Sequence, residues 1–269
     1  MKDDETTKKG ERPSPAVPPT PSLLSTTIRS TLFTGLFVVL SPFFGYLAAT
    51  KWPILKDVYT KASRKSILEE EGNGARDDTL VDKLWLMPVA SKYFSAVEYQ
   101  YAEGYCGLAT MRCMLKSLLS SSQKISEDMV PEPKRGPMTL TTFAGRIDEQ
   151  TKGSLKSRVV LGSQGYEEFL SVVKQANNPT VRIAANFLRS PIFGFTGTLL
   201  LPMNIMKTFF GGHFSPIVGY LEKEDLVGVF DVNSNYSLYL VPSRRLYDAV
   251  NTYDVQSGSC RGLVISQVV

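Results

Sequence analysis

Apolar and polar positions change period along the chain, and the change predicts its elements. Between Cys106 and Leu119, the residues Leu108, Met111, Leu115, Leu118 and Leu119 recur at helical spacing, with Arg112 and Lys116 together on the other side. This predicts an amphipathic helix. Tyr166 to Ala176 reads as a second helix. Thr180 to Phe187 then predicts a strand, as do His213 to Tyr220 and Leu226 to Val232, the last two joined by the polar turn Glu222-Lys-Glu-Asp225. A short helix is expected from Ser243, taken as its N-cap, and Arg261 to Val268 closes as a strand. Helices first and antiparallel strands later make an α+β order.

The N-terminal third has a different texture. Residues 1–30 are polar, and Pro13, Pro15, Pro18, Pro19 and Pro21 block regular structure. A disordered tail is expected. Leu32 to Ala49 then carries no charge over 18 residues, near the lower end of what crosses a bilayer. Pro42 is tolerable in such a segment. A buried helix would show a polar face, and a cleaved leader would place a small residue where Leu47 stands. The acidic Asp3, Asp4, Glu5 and Glu11 do not suit a mitochondrial presequence. An uncleaved transmembrane helix over 31–50 is therefore expected. Lys51, Lys56, Lys61, Arg64 and Lys65 follow it and only Arg29 lies just before it, which predicts a membrane-anchored protein whose globular part faces the cytosol. Residues 51–83 read as a basic, then acidic, linker, and residues 84–269 as the globular part, without internal repeat.

Composition narrows the chemistry. A net charge of +4 with no basic stripe between aromatics argues against nucleic acid as a partner. Three cysteines without a C-x-x-C pair argue against a disulfide scaffold and a structural zinc site. Reduced thiols fit a reducing compartment. There is one histidine, so any mechanism that needs an imidazole must use His213.

Cys106 follows the glycine-bearing turn Glu103-Gly-Tyr105 and opens the first helix. Unpaired N–H groups at a helix start favour a thiolate, the form that attacks carbonyl carbon. Cys113, mid-helix between methionines, fits a structural cysteine instead. His213 heads a strand and Asp231 lies in the next. A hairpin sets the two side by side, so Asp231 can accept from the imidazole while the ring faces the thiol. A carboxylate inside an apolar strand is costly to bury without a partner. An acyl transfer also needs donors for the oxyanion. Gln100, six residues before Cys106, is the candidate, with the N–H of Cys106 as the second.

These segments resemble a known family. Tyr105-Cys106-Gly-Leu-Ala and Gly212-His213-Phe-Ser-Pro-Ile-Val-Gly-Tyr220 are similar to the catalytic domain of phytochelatin synthases, papain-like enzymes. Asp231-Val232 and Gln100 fall where that family has its third catalytic residue and its oxyanion glutamine. Ser163-Gln-Gly-Tyr166, Asn186-Phe-Leu-Arg189 and Arg261-Gly-Leu263 are weaker matches in the right order. The resemblance covers about residues 84–269 and implies a papain-like fold. It implies removal of glycine from glutathione, with γ-glutamylcysteine held as a thioester and passed to a second glutathione, to a phytochelatin, or to water. Hydrolysis to γ-glutamylcysteine products is the alternative activity. Asp254 and Arg261 have the family's spacing for gripping the γ-glutamyl α-amino and α-carboxylate groups, which need one carboxylate and one guanidinium. Gly212, Asn186 and Arg189 join them as expected substrate-binding residues. No tightly bound cofactor is implied; a heavy-metal ion such as Cd²⁺ would act as activator or within a metal-thiolate substrate. A homodimer is left open. The sequence stops soon after Arg261, so the variable cysteine-bearing C-terminal domain of the family's plant members is expected to be missing, which bears on metal activation. The stretch from Arg189 to His213 is longer than usual and apolar around 193–210, which suggests a lip on the bilayer or over the cleft.

Overall fold

The structure is a computed structural model that describes residues 41–70, 74–119, 122–134, 136, 138–195 and 207–269. The tail expected over 1–30, the first ten residues of the expected membrane segment and the centre of the apolar insertion, 196–206, lie outside the described residues.

Helices come first. They are α1 (Ser41–Ala62), α2 (Asp78–Trp85), α3 (Pro88–Tyr93), α4 (Cys106–Leu119) and α5 (Leu140–Gln150). Strand β1 (Leu155–Leu161), helix α6 (Tyr166–Lys174), strand β2 (Val181–Leu188) and the single turn α7 (Ser190–Phe193) follow. The remainder is β3 (Gly212–Leu221), β4 (Leu226–Asp231), β5 (Ser237–Pro242), α8 (Ser243–Val250), the two-residue strands β6 (Tyr253–Asp254) and β7 (Ser259–Cys260), and β8 (Gly262–Val268).

Among the described residues, six strands form one sheet in the order β1-β8-β2-β3-β4-β5, every neighbouring pair antiparallel. Both faces are covered, and β2 and β4 are accordingly buried at every position. Alternation along β2 sorts the layers. Ala184 joins Phe214, Val218, Met111, Leu115 and Phe143 in the core under α4 and α5. Ile183, Ala185 and Phe187 join Phe169 and Leu246 in the core under α6 and α8. A buried charge ties α4 to the sheet. Arg182 of β2 donates from Nε to Ser117 Oγ at 2.6 Å and from Nη2 to the Ser117 carbonyl at 3.1 Å.

Two expectations change. Ser243 is the first helical residue rather than the cap: Pro242 holds the cap position, and the Ser243 hydroxyl pairs with Tyr166 Oη at 2.6 Å. Among the described residues no helix is long and apolar enough to cross a membrane. The second half of the expected membrane segment instead begins α1, which runs on through Lys51, Lys56 and Lys61. Within the stretch expected as linker, Ile67 and Ala75 are buried, and α2 forms under an Asp77 cap that accepts from the Leu80 N–H at 3.1 Å.

Candidate active site

Cys106 is the first residue of α4. The chain reaches it through Gly104, whose φ of 87° is strained for a side-chain-bearing residue. The turn closes with the Tyr105 N–H on the Ala102 carbonyl at 3.2 Å. His213, 3% exposed, sits beside the head of β3, opposite Phe187 of β2 in the register. The Phe187 ring meets the imidazole edge to face at 5.7 Å. Asp231 ends β4 and is 0% exposed.

These three side chains converge. The Asp231 Oδ1 oxygen accepts from His213 Nε2 at 2.8 Å and from the Asn233 backbone N–H at 2.8 Å. The Cys106 thiol shares a hydrogen bond with His213 and receives another from the Phe214 backbone. Burial pushes the Cys106 thiol upward, but His213, that backbone bond and the nearby Arg189 outweigh it, and the thiol titrates below its ordinary value. Burial and Arg189 push the imidazole downward. Asp231 and Cys106 push it up, and the net direction is up. Burial raises the Asp231 carboxyl, yet His213 and Arg189 hold it well below the usual carboxylate range. A lowered thiol facing a raised imidazole favours a thiolate–imidazolium pair over the neutral pair. Such a pair can attack a carbonyl carbon and return a proton to a leaving amine.

Arg189 is placed differently from the substrate-binding set in which the sequence put it. Its Nε lies 2.9 Å from Asp231 Oδ2 and its Nη2 2.7 Å from Oδ1, a two-bond fork on the carboxylate. The same Nη2 is 2.8 Å from His213 Nε2. A guanidinium has no lone pair to offer, so both nitrogens aim their protons at the one Asp231 oxygen. The Tyr236 ring backs the guanidinium at 4.7 Å. Sequence reasoning found one partner for the buried carboxylate. The signal it passed over is capacity: two ionised oxygens take about four hydrogen bonds, and one imidazole fills one.

The other sequence-chosen residues form a second cluster one residue before His213. A Cβ on Gly212 would sit 3.1 Å from both Nε and Nη2 of Arg261 and 3.5 Å from Asn186 Oδ1. Arg261 is 0% exposed. It donates to Thr252 Oγ1 at 3.2 Å, to the Tyr253 carbonyl and to the Phe210 carbonyl at 3.1 Å. Asp254 lies 3.7 Å from its Nη2 and also accepts from the N–H groups of Gln256 and Ser257. Burial, partly offset by Asp254, pushes the guanidinium down to about 10. Arg261 Nε and Asn186 Oδ1 are buried without a protein partner, one donor and one acceptor close to Gly212. Gln100 ties to the end of β4 through its N–H, 2.6 Å from the Val232 carbonyl, and its Oε1 is likewise buried and unpartnered.

The comparison with protein families gives the family. The model described as Phytochelatin synthase matches residues 84–263, which include Cys106, His213 and Asp231. The chain belongs to the phytochelatin synthase family. A stretch of 91 residues is 34% identical to glutathione gamma-glutamylcysteinyltransferase 1 of Triticum aestivum, covering 34% of this chain and 15% of that protein. A stretch of 55 residues is 46% identical to glutathione gamma-glutamylcysteinyltransferase 3 of Lotus japonicus, covering 20% of this chain and 12% of that protein. The chain thus matches less than a sixth of the length of either relative. Among the described residues, no group of three or more His, Cys, Asp or Glu side chains is arranged to hold a metal ion.

Proposed function

We propose that this chain is a papain-like acyl transferase that removes glycine from glutathione and passes the γ-glutamylcysteinyl group to a second glutathione or a phytochelatin. The observation that carries the reading is the line from half-buried Cys106 to buried His213 and Asp231, with its 2.8 Å imidazole–carboxylate contact and the lowered thiol. The Cys106 thiolate attacks the Cys–Gly carbonyl carbon, and the oxyanion is received by the Cys106 N–H and the Gln100 side chain. His213 gives its proton to the departing glycine nitrogen, which leaves γ-glutamylcysteine as a thioester. The acceptor amine then attacks the thioester, His213 takes its proton, and the thiolate returns.

Arg261 and Asp254, with Asn186 and Gly212, suit the γ-glutamyl end, which carries one positive and one negative group. The open Nε of Arg261 and Oδ1 of Asn186 are the unpaired donor and acceptor such a ligand would take. A heavy-metal ion enters this scheme as part of the acceptor, a metal-thiolate substrate. The purified protein, incubated with glutathione with and without Cd²⁺, should release glycine and form oligomers of γ-glutamylcysteine detectable by mass. Release of γ-glutamylcysteine without oligomers would assign hydrolysis. No glycine release under either condition would overturn the reading.

A further inference from the structure

The Asp231 carboxylate is held by more than the imidazole it orients, and the second holder carries a full positive charge. Arg189 leaves the end of β2 and reaches Asp231 across the head of β3 with two bonds, at 2.9 and 2.7 Å. Its Nη2 also closes to 2.8 Å of His213 Nε2. The charged and titratable groups acting on the imidazole are Arg189, Asp231 and Cys106. Those acting on the guanidinium are Asp231, Tyr236 and Tyr239, with His213 2.8 Å away, and those acting on the thiol are His213 and Arg189. Arg189 thus acts on thiol, imidazole and carboxylate alike.

We propose that Arg189 is a positioning residue for this group: its fork fixes the Asp231 carboxylate behind His213, and its charge keeps that carboxylate from acting on the imidazole alone. The proposal rests on the reading of Cys106 as nucleophile. A carboxylate bound only to the imidazole could rotate about its last side-chain bond and carry the ring with it. With Arg189 on both oxygens and the Asn233 N–H on one, that rotation is closed. Positive charge beside a thiol favours its ionised form, and beside an imidazolium it opposes the proton. Removing the charge should therefore move both titrations the same way, toward higher pH.

The test is the rate at which iodoacetamide alkylates Cys106 as a function of pH, read by mass on the Cys106 peptide, alongside kcat and KM for glycine release. Arg189→Met should move the alkylation step up by about one pH unit, in line with loss of a charge a few ångströms away, and lower kcat. Arg189→Lys should leave the step in place and still lower kcat about tenfold, because a point charge cannot reproduce the fork. An unmoved step in Arg189→Met makes Arg189 merely structural and overturns the proposal. A raised KM at unchanged kcat returns it to the substrate-binding set and does the same. Should Arg189→Met not melt cooperatively, Arg189→Lys decides: lower kcat with an unmoved step supports the proposal, and wild-type kcat or a moved step overturns it. If wild type releases no glycine, the activity reading fails while the alkylation step still reads Arg189.

Discussion

Cys106 and Cys113 share one helix, and their surroundings make them opposite kinds of thiol. Cys113 is fully buried. It receives the Glu98 N–H at 3.3 Å, and burial pushes its thiol up to about 12. Cys106 is half-buried at the helix start and held below its ordinary value by His213. Cys106→Ser should abolish glycine release from glutathione, since a serine hydroxyl stays protonated against the same imidazole. Cys113→Ser should leave release largely intact, as its hydroxyl can take the same N–H. Glycine measured by mass in both variants checks this. Retained release in Cys106→Ser would remove it as nucleophile. Equal loss in both would point to a folding defect rather than chemistry.

Asp231 shows what the elements contribute. It ends β4, while His213 stands near the head of β3 and Arg189 follows β2, two ends that the ladder already pairs through Phe187 and His213, so the carboxylate pins the end of β4 to that pair. A carboxyl depressed on folding adds stability that is fully present above its unfolded value. That stability is lost as pH falls through the folded one, because the unfolded chain binds the proton first. The urea midpoint of wild type should therefore exceed that of Asp231→Asn at pH 7, and the gap should shrink between about pH 5 and pH 2. A gap constant with pH would mean that the carboxylate charge contributes nothing to the fold. The strands that carry this pin were legible. The helix Cys106–Leu119 has the bounds that its periodicity predicts, and β3 and β4 agree with their patterns to within a residue. Their covered faces leave continuous apolar runs, which are hard to misread. The pattern reading did not isolate β1, where Lys156 and Arg158 alternate outward at the sheet edge. Nor did it isolate α5, although Leu140, Phe143, Ala144 and Ile147 have helical spacing. Arg189 was legible as a motif residue but not as the partner of Asp231, because the pairing joins positions 42 apart in sequence and depends on the order β2-β3-β4.

The whole molecule adds an arm that the pattern read as anchor and linker. The described part of residues 41–70 packs near α7 and α8, in the layer under which Phe187 and Leu246 lie, away from α4. Val58, Ala62 and Ile67 are buried there, and Arg245 of α8 is the knot. It donates to the Pro191 carbonyl at 2.7 Å, the Ile192 carbonyl at 3.1 Å, Glu70 at 2.7 Å and the Lys65 carbonyl. Arg64 adds a 2.6 Å pair with Asp248, and Lys61 a 2.8 Å bond to the Asn251 carbonyl. Arg245 bridges three segments at once, so its loss strands the buried Pro191 carbonyl and removes the ties to Glu70 and Lys65, while the Ile192 carbonyl keeps the Ile67 N–H. Arg245→Met should cost about 3 kcal/mol, or about 6–12 °C in Tm for a chain of this size. The arm should open first. Trypsin should then cut after Lys56 and Lys61 in the variant at temperatures where wild type resists. The pH at which Cys106 becomes alkylable should stay where it is, because none of these bonds touches the thiol, the imidazole or Asp231. A Tm within a degree of wild type would show that the arm docks without supporting the fold. A moved alkylation step would show instead that the arm is coupled through α7 to Arg189, the residue immediately before it.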